Sequence, residues 1–241
     1  MDDVSTVPDP PTGYVPSRGS FVQRVGAPCD DLRQRGSRAR FRHDEFLLQR
    51  GNISDHVLLI EDGLVKVRLL DKGGAQVIVG LYGQGELLGE EGVLSSEPRS
   101  ADVIGHTNGI VTRVPSLAFH DFLKQHPQTL HALYRIQHSR LRKADHRQLT
   151  IASHNAPARV TKQLLAWAET IGRPTTAGVR ITGLTRKDLA HCVSASEKRI
   201  DAILGEFNRR GLVHTRWKTF LVPSLDDLRK HVHDLEQPNP N

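Results

Sequence analysis

From about Phe41 the chain carries short apolar runs cut by glycines, and after Pro115 it changes to helical spacing. Val57–Ile60 is one apolar run. Leu64–Leu70 alternates, with Val65, Val67 and Leu69 on one side and Lys66 and Arg68 on the other. Period two marks a half-buried strand. Asp71-Lys72-Gly73-Gly74 reads as a turn and Gln76–Leu81 as the returning strand of a hairpin. Ala101–Ile104 and Gly109–Val114 add further runs. Several short strands at close spacing predict a sandwich, barrel or jelly roll.

Beyond Pro115 the apolar positions recur at helical intervals. Ser116 is placed to cap a short helix through Leu123. Residues 128–156 contain neither Gly nor Pro. Within them Leu130, Tyr134, Gln137, Leu141, Ala144, Gln148, Ile151 and Asn155 step by alternating four and three. That is a heptad seam with several polar members, so 127–157 reads as a dimerisation helix. Residues 158–172 form an amphipathic helix closed by Gly172.

The next segment has helix-turn-helix spacing. Residues 184–193 make a short helix in which Thr185 and Asp188 have capping-box spacing. Ser194-Ala195-Ser196 breaks it, and Ser196 caps a second helix from Glu197 to Arg210, ended by Gly211. Leu189, Ala190, Val193, Ile200, Ile203, Leu204 and Phe207 supply the inward face of the pair. Leu212–His214 and Thr219–Val222 are strands around a basic wing, Arg216-Trp217-Lys218. The exposed start of the second helix is Ser196-Glu197-Lys198-Arg199, whose cations suit guanine edges or phosphates and whose carboxylate suits cytosine.

Charge sharpens this picture. Of 241 residues, 33 are Lys or Arg and 27 Asp or Glu, a net +6. Residues 158–223 hold 12 basic and 5 acidic side chains, or 12 − 5 = +7. A local excess of this kind suits a polyanion, although a solvated basic surface gives the same count. Residues 1–20 contain Pro8, Pro10, Pro11, Pro16, Gly13 and Gly19 with few apolar residues. Residues 1–35 are therefore expected as a flexible N-terminal tail, and 224–241 as a C-terminal tail.

Composition removes several classes. Cys29 and Cys192 cannot make a disulfide framework, an iron–sulfur cluster or a Cys₄ zinc site. The 13 histidines are scattered, and His231-x-His233 falls in the polar C-terminal stretch, so no metal site is expected. The chain shows no nucleophile elbow and no P-loop, and no enzyme is expected. Without an apolar span or a leader pattern, a soluble cytoplasmic protein is expected.

One further segment can hold an anion. Gly89-Glu90-Glu91-Gly92 precedes Pro98-Arg99-Ser100-Ala101, between two predicted strands. The glycines allow backbone N–H groups to face a ligand, Arg99 can fork onto a phosphate with the Ser100 hydroxyl beside it, and Glu90 can accept from a sugar hydroxyl. A surface turn is the plainer reading of the same residues. If Arg99 serves an anion and not the core, Arg99→Ala should remove ligand binding and leave folding intact.

The order of β domain, long helix and winged helix-turn-helix resembles the cyclic-AMP receptor protein (catabolite activator)/Fnr regulators over residues 36–223. Gly89-Glu90 and Pro98-Arg99-Ser100-Ala101 are similar to that family's phosphate-binding cassette, and Gly63 to its strand-turn glycine. The resemblance implies that Glu90 holds a ribose hydroxyl and that Arg99 and Ser100 hold the cyclic phosphate. Glu91 stands where the cassette usually has an apolar residue. The base contact falls near Ala144 and Asp145, where members that bind cyclic AMP often carry hydroxyls. Thr185, Arg186 and Ser196 match DNA-phosphate contacts, and Glu197, Lys198 and Ala202 depart from the usual recognition-helix residues.

The expected fold is thus α+β. An N-terminal β jelly-roll of the cyclic-nucleotide-binding kind (36–126) is followed by a long dimerisation helix (127–157) and a C-terminal winged helix-turn-helix (158–223). The expected function is an allosteric transcription regulator without a required cofactor. It would act as a homodimer on double-stranded promoter DNA, with RNA polymerase as a further partner and no membrane. The expected ligand residues are Gly89, Glu90, Glu91, Arg99, Ser100 and Ala101, with Ala144 and Asp145 at the base. The expected DNA contacts are Thr185, Arg186, Ser196, Glu197, Lys198, Arg199, Arg216 and Lys218. Cyclic AMP or a related nucleotide is the expected effector. The same DNA-binding role with another effector or none remains open, as does a cyclic-nucleotide-binding signalling adaptor.

Overall fold

A computed structural model describes residues 19–70 and 76–236, and these divide into two compact units. The first runs through Leu141; the second holds Gln76–Ile78 and the chain from Arg142. The turn expected at residues 71–74 lies outside the described residues, as do residues 1–18 of the N-terminal tail and 237–241 of the C-terminal one.

The first unit opens with α1 (Phe21–Val25) and α2 (Pro28–Gln34), then β1 (Ser37–Phe41), β2 (Phe46–Leu48), β3 (His56–Asp62), β4 (Val65–Leu70), β5 (Gln76–Tyr82) and β6 (Leu87–Leu88). A one-and-a-half-turn helix, α3 (Glu90–Ser95), precedes β7 (Asp102–Gly105) and β8 (Gly109–Pro115). α4 (Ser116–Gln125) and α5 (Gln128–Ser153) follow. Among the described residues the strands form sheets ordered β1-β8-β3-β6 and β2-β7-β4-β5, the jelly-roll expected from the short apolar runs.

β3 explains why Val57–Ile60 is continuously apolar. Its side chains alternate between faces, and both faces are covered. Leu58 and Ile60 join Phe41, Leu88, Val103 and Val111 in one core. Val57 and Leu59 join a second core with Phe119, Phe122, Leu133 and Ile136.

That second core also takes in Phe21, Cys29 and Leu32, so the described part of the expected N-terminal tail is no tail. Phe21 and Leu32 are fully buried, Ser20 accepts from the Gln23 N–H to cap α1, and Pro28 starts α2. These three apolar anchors sit in two short helices just after the proline-rich stretch, and their burial outweighs its composition. Ser116 does not cap α4; the helix follows directly from Pro115 at the end of β8.

α5 buries Thr129, Ala132, Leu133 and Ile136 against the first unit. The expected seam lies on another face: Leu130, Tyr134, Leu141 and Ile151 are exposed, Tyr134 at 72%. The helix stops at Ser153, short of residue 157. Asn155, expected in the seam, instead caps the next helix by accepting from the Ala158 N–H at 3.0 Å.

The second unit continues with α6 (Ala156–Ile171), β9 (Arg173–Thr175), β10 (Gly178–Thr182), α7 (Arg186–Val193), α8 (Glu197–Arg209), β11 (His214–Arg216), β12 (Thr219–Val222) and α9 (Leu225–Glu236). Gly172 does follow α6, but with an extended backbone. A Cβ there would stand 2.2 Å from the Ala168 carbonyl oxygen, so close approach and not a left-handed cap requires the glycine. The strands make one sheet, β11-β12-β10-β9, of which β9 and β10 were not expected. Nor is residue 225 onward a tail. α9 packs on α6, burying Leu228 and His231, with the His231 ring edge-on to Phe207 at 5.2 Å.

Candidate functional site

Two constellations stand out, one in each unit. In the first, Gly89 has φ +82 and precedes α3. A Cβ there would lie 2.7 Å from Arg99 Nη1, so both the left-handed backbone and the neighbouring guanidinium demand glycine. Gly92 answers to packing: a Cβ would run into Ser54 Oγ, which donates to the Glu97 carbonyl at 2.7 Å.

The expected anion-binding groups are all engaged within the protein. Arg99, only 5% exposed, donates from Nη1 to the Gly89 carbonyl at 2.9 Å and from Nη2 to the His56 carbonyl at 2.5 Å. The Asp55 carboxylate stands 3.6 Å from the same Nη2. Arg99 therefore ties β3 to α3, so it has a structural role in addition to the anion contact expected of it. Ser100 donates to Glu91 Oε2 at 3.3 Å, with both residues exposed. Ala101 is half-buried.

Glu90 is 2% exposed, and its Oε1 accepts from Gln137 Nε2 and Arg140 Nη1, each at 2.6 Å. Burial pushes the carboxyl upward from its usual range, and the Arg140 charge opposes that shift. Arg140 also donates to the Leu87 carbonyl at 2.9 Å and lies 5.0 Å from the centre of the Tyr82 ring. The position assigned by resemblance to a ribose contact is thus already paired with α5. Gln137 and Arg140 escaped the sequence reading because their partner is 47 and 50 residues away. Gln137 was counted in the seam; its i,i+3 spacing from Arg140 was the one available signal. Ala144 and Asp145 are exposed on the part of α5 that belongs to the second unit, so they share no unit with the cassette.

In the second unit the helix-turn-helix is capped at both starts. Thr185 Oγ1 accepts from the Asp188 N–H at 3.0 Å, and Asp188 Oδ2 accepts from the Thr185 N–H at 2.8 Å, the capping box expected from their spacing. Ser194 takes φ 51 and ψ 57, so the left-handed turn forms without glycine. Ser196 accepts from the Arg199 N–H at 3.3 Å. Leu189, Ala190, Val193, Ile200, Ile203, Leu204 and Phe207 are all buried.

Glu197, Lys198 and Arg199 are exposed at the start of α8. α8 ends at Arg209, one residue earlier than expected, and β11 begins at His214 and not Leu212. Arg216 therefore belongs to the strand, and Trp217 and Lys218 alone form the wing tip. Arg186, expected on a phosphate, bridges Asp201 on α8 at 3.0 Å and Thr215 on β11 at 3.2 Å. Thr185, Arg186 and Ser196 thus have structural partners of their own. Asp201 and Thr215, which the sequence did not single out, link helix and wing through Arg186.

Among the described residues no cluster of His, Cys, Asp or Glu could hold a metal ion, and no helix is long and apolar enough to cross a membrane.

Residues 38–126 match the family described as "Cyclic nucleotide-binding domain". The chain is 24% identical over 183 residues to the CRP-like cAMP-activated global transcriptional regulator of Mycobacterium tuberculosis, covering 76% of this chain and 82% of that protein. It is 24% identical over 197 residues to the cAMP-activated global transcriptional regulator Vfr of Pseudomonas aeruginosa, covering 80% and 92%. In fold it is similar to the c-di-GMP responsive global regulator CLP of Xanthomonas campestris, with a TM-score of 0.74, 18% identity, and 82% and 98% of the two chains covered. FixK2 of Bradyrhizobium japonicum gives 0.70 at 17% identity, covering 85% and 99%. The matched domain, the capped helix-turn-helix with its wing and these relatives agree: residues 38–126 match a cyclic nucleotide-binding domain, and most of the chain is similar to ligand-controlled, DNA-binding transcription regulators of the cyclic-AMP receptor protein kind.

Proposed function

We propose that the chain binds double-stranded promoter DNA as a homodimer and that a small anionic ligand in the β domain controls it. The observation that carries this reading is the exposed Glu197-Lys198-Arg199 start of α8, braced to a basic wing by Arg186. Such an arrangement presents donors and an acceptor to base edges, with cations for phosphates. The exposed Leu130, Tyr134, Leu141 and Ile151 supply the apolar seam for a second copy. A two-fold dimer then sets two recognition helices one helical turn of DNA apart. RNA polymerase is the further partner of such a regulator, and the cytoplasm its place of action; neither an enzymatic step nor a required cofactor enters this reading.

Cyclic AMP is the first effector to test, because two of the relatives above are named as activated by it. The domain boundaries follow the same reading, with ligand control in 36–126 and DNA binding from residue 158. Ligand acts allosterically only if it binds one state of the dimer better than the other, and DNA does the same.

A second reading is favoured by one observation. Arg99 gives two of its five N–H donors to protein carbonyls and Ser100 gives its one O–H to Glu91, so a cyclic phosphate that takes the Ser100 hydroxyl must displace the Glu91 carboxylate. A regulator with another effector, or none, needs no such exchange.

The test is DNA affinity against salt, with and without cyclic AMP and cyclic GMP. Several phosphate contacts predict a steep fall in affinity with salt. A flat response would remove DNA binding and favour a signalling adaptor. Affinity unmoved by either nucleotide, with no heat of binding, would favour the second reading.

A further inference from the structure

The wing ends in a tryptophan that the fold leaves outside. β11 and β12 pair as far as Arg216 opposite Thr219, so no strand covers the two residues between them. Val213, Phe220 and Val222 are buried in the same sheet region, whereas Trp217 is 81% exposed. The other tryptophan, Trp167, is 4% exposed and lies against Phe220, ring centroids 6.0 Å apart. Burying an aromatic side chain removes about 150–250 Å² from water. An indole held almost wholly in solvent on a short basic turn leaves most of its apolar surface uncovered in the monomer.

The surroundings of Trp217 suit a duplex. Lys218 adopts φ 48, and its Nζ stands 4.8 Å from the indole centroid, so a cation covers one face of the ring. Arg216 is exposed on the other side of the turn. The hairpin is tethered to α8: Arg186 joins Thr215 to Asp201, and His214 Nδ1 lies 2.8 Å from Asn208 Oδ1 on α8. Three residues of β11 span about 10 Å. With α8 in a major groove about 12 Å wide, a hairpin arm of that length has the reach to meet the adjoining sugar-phosphate backbone.

We propose that Trp217 lays its indole against the deoxyribose edges of the minor groove beside each half-site, while Arg216 and Lys218 meet the flanking phosphates. This rests on the DNA-binding reading above and adds an apolar contact to it. Sugar edges are the uncharged part of the duplex backbone, and apolar side chains are a recurrent means of engaging minor grooves. The contact adds affinity that salt does not screen, unlike the lysine and arginine contacts around it.

The experiment uses the full chain and a duplex that the protein itself selects from a randomised pool. Trp217→Ala lowers affinity about tenfold, which is ~1.4 kcal/mol, and leaves the slope of log affinity against log salt unchanged. Lys218→Ala instead lowers that slope by about one. In a Trp167→Phe background, collisional quenching of Trp217 by acrylamide falls severalfold when the duplex binds. Unchanged affinity in Trp217→Ala, or unchanged quenching in the complex, overturns the contact and leaves the DNA-binding reading standing. A chain that retains no duplex at all overturns that reading, and the contact with it.

Discussion

Arg140 on α5 donates to the buried Glu90 carboxylate at 2.6 Å, joining the first residue of α3 to the helix that carries the seam. A buried carboxylate that loses its cation is an uncompensated charge. Arg140→Ala is therefore expected to cost about 3 kcal/mol near pH 8, measured by urea unfolding. Burial raises the folded-state value of Glu90 above its unfolded one. The folded form then binds the extra proton, and stability falls as pH rises from the unfolded carboxylate range, about 4.3, through the raised value. Removing Arg140 strengthens that fall. The cost should shrink toward acid pH, and Glu90→Gln in the same chain should flatten the pH dependence. A pH-independent cost would show that the pair is not what Arg140 provides.

Arg99 makes a second structural demand. Its guanidinium satisfies the carbonyls of Gly89 and His56, and an unpaired buried polar group costs about 1–3 kcal/mol. Arg99→Ala should lose about 3 kcal/mol of stability as well as any ligand response. Ligand titrations on this variant must be made where thermal scans show it folded. Wild-type stability would return Arg99 to a purely anion-binding role.

Glu91 faces solvent and accepts the Ser100 hydroxyl. A carboxylate about 4 Å from a bound phosphate costs about 1 kcal/mol in water. Glu91→Ala should raise the affinity for cyclic AMP about fivefold, read by calorimetry. An unchanged affinity would place any bound phosphate away from Ser100.

The cysteines should be inert. Burial pushes the Cys29 thiol up to about 11 and the Cys192 thiol up to about 12, so almost no thiolate exists at pH 8. A chromogenic disulfide reagent should label neither in the folded protein and both after denaturation. Rapid labelling of the native chain would contradict their burial.

Local signals were the legible ones. Thr185 with Asp188, and Ser196 with the Arg199 N–H, are caps whose two members lie within one helical turn. Val57–Ile60 announced a strand covered on both faces. Phe21, Cys29 and Leu32 give little local signal, because their helices are short and follow a proline-rich segment. α9 is equally hard to read locally, because Leu228 and His231 stand among charged neighbours.

The amino-acid order by itself determined where the β domain, the long helix and the helix-turn-helix lie, because caps and apolar periodicity act over a few residues. Only the tertiary structure decided what Glu90, Arg99 and Arg186 touch. Their partners, Arg140, His56 and Asp201, lie 50, 43 and 15 residues away along the chain. A long polar side chain satisfies whichever group packing brings within about 3 Å. Residue type names the chemistry such a side chain can do; the fold chooses its partner.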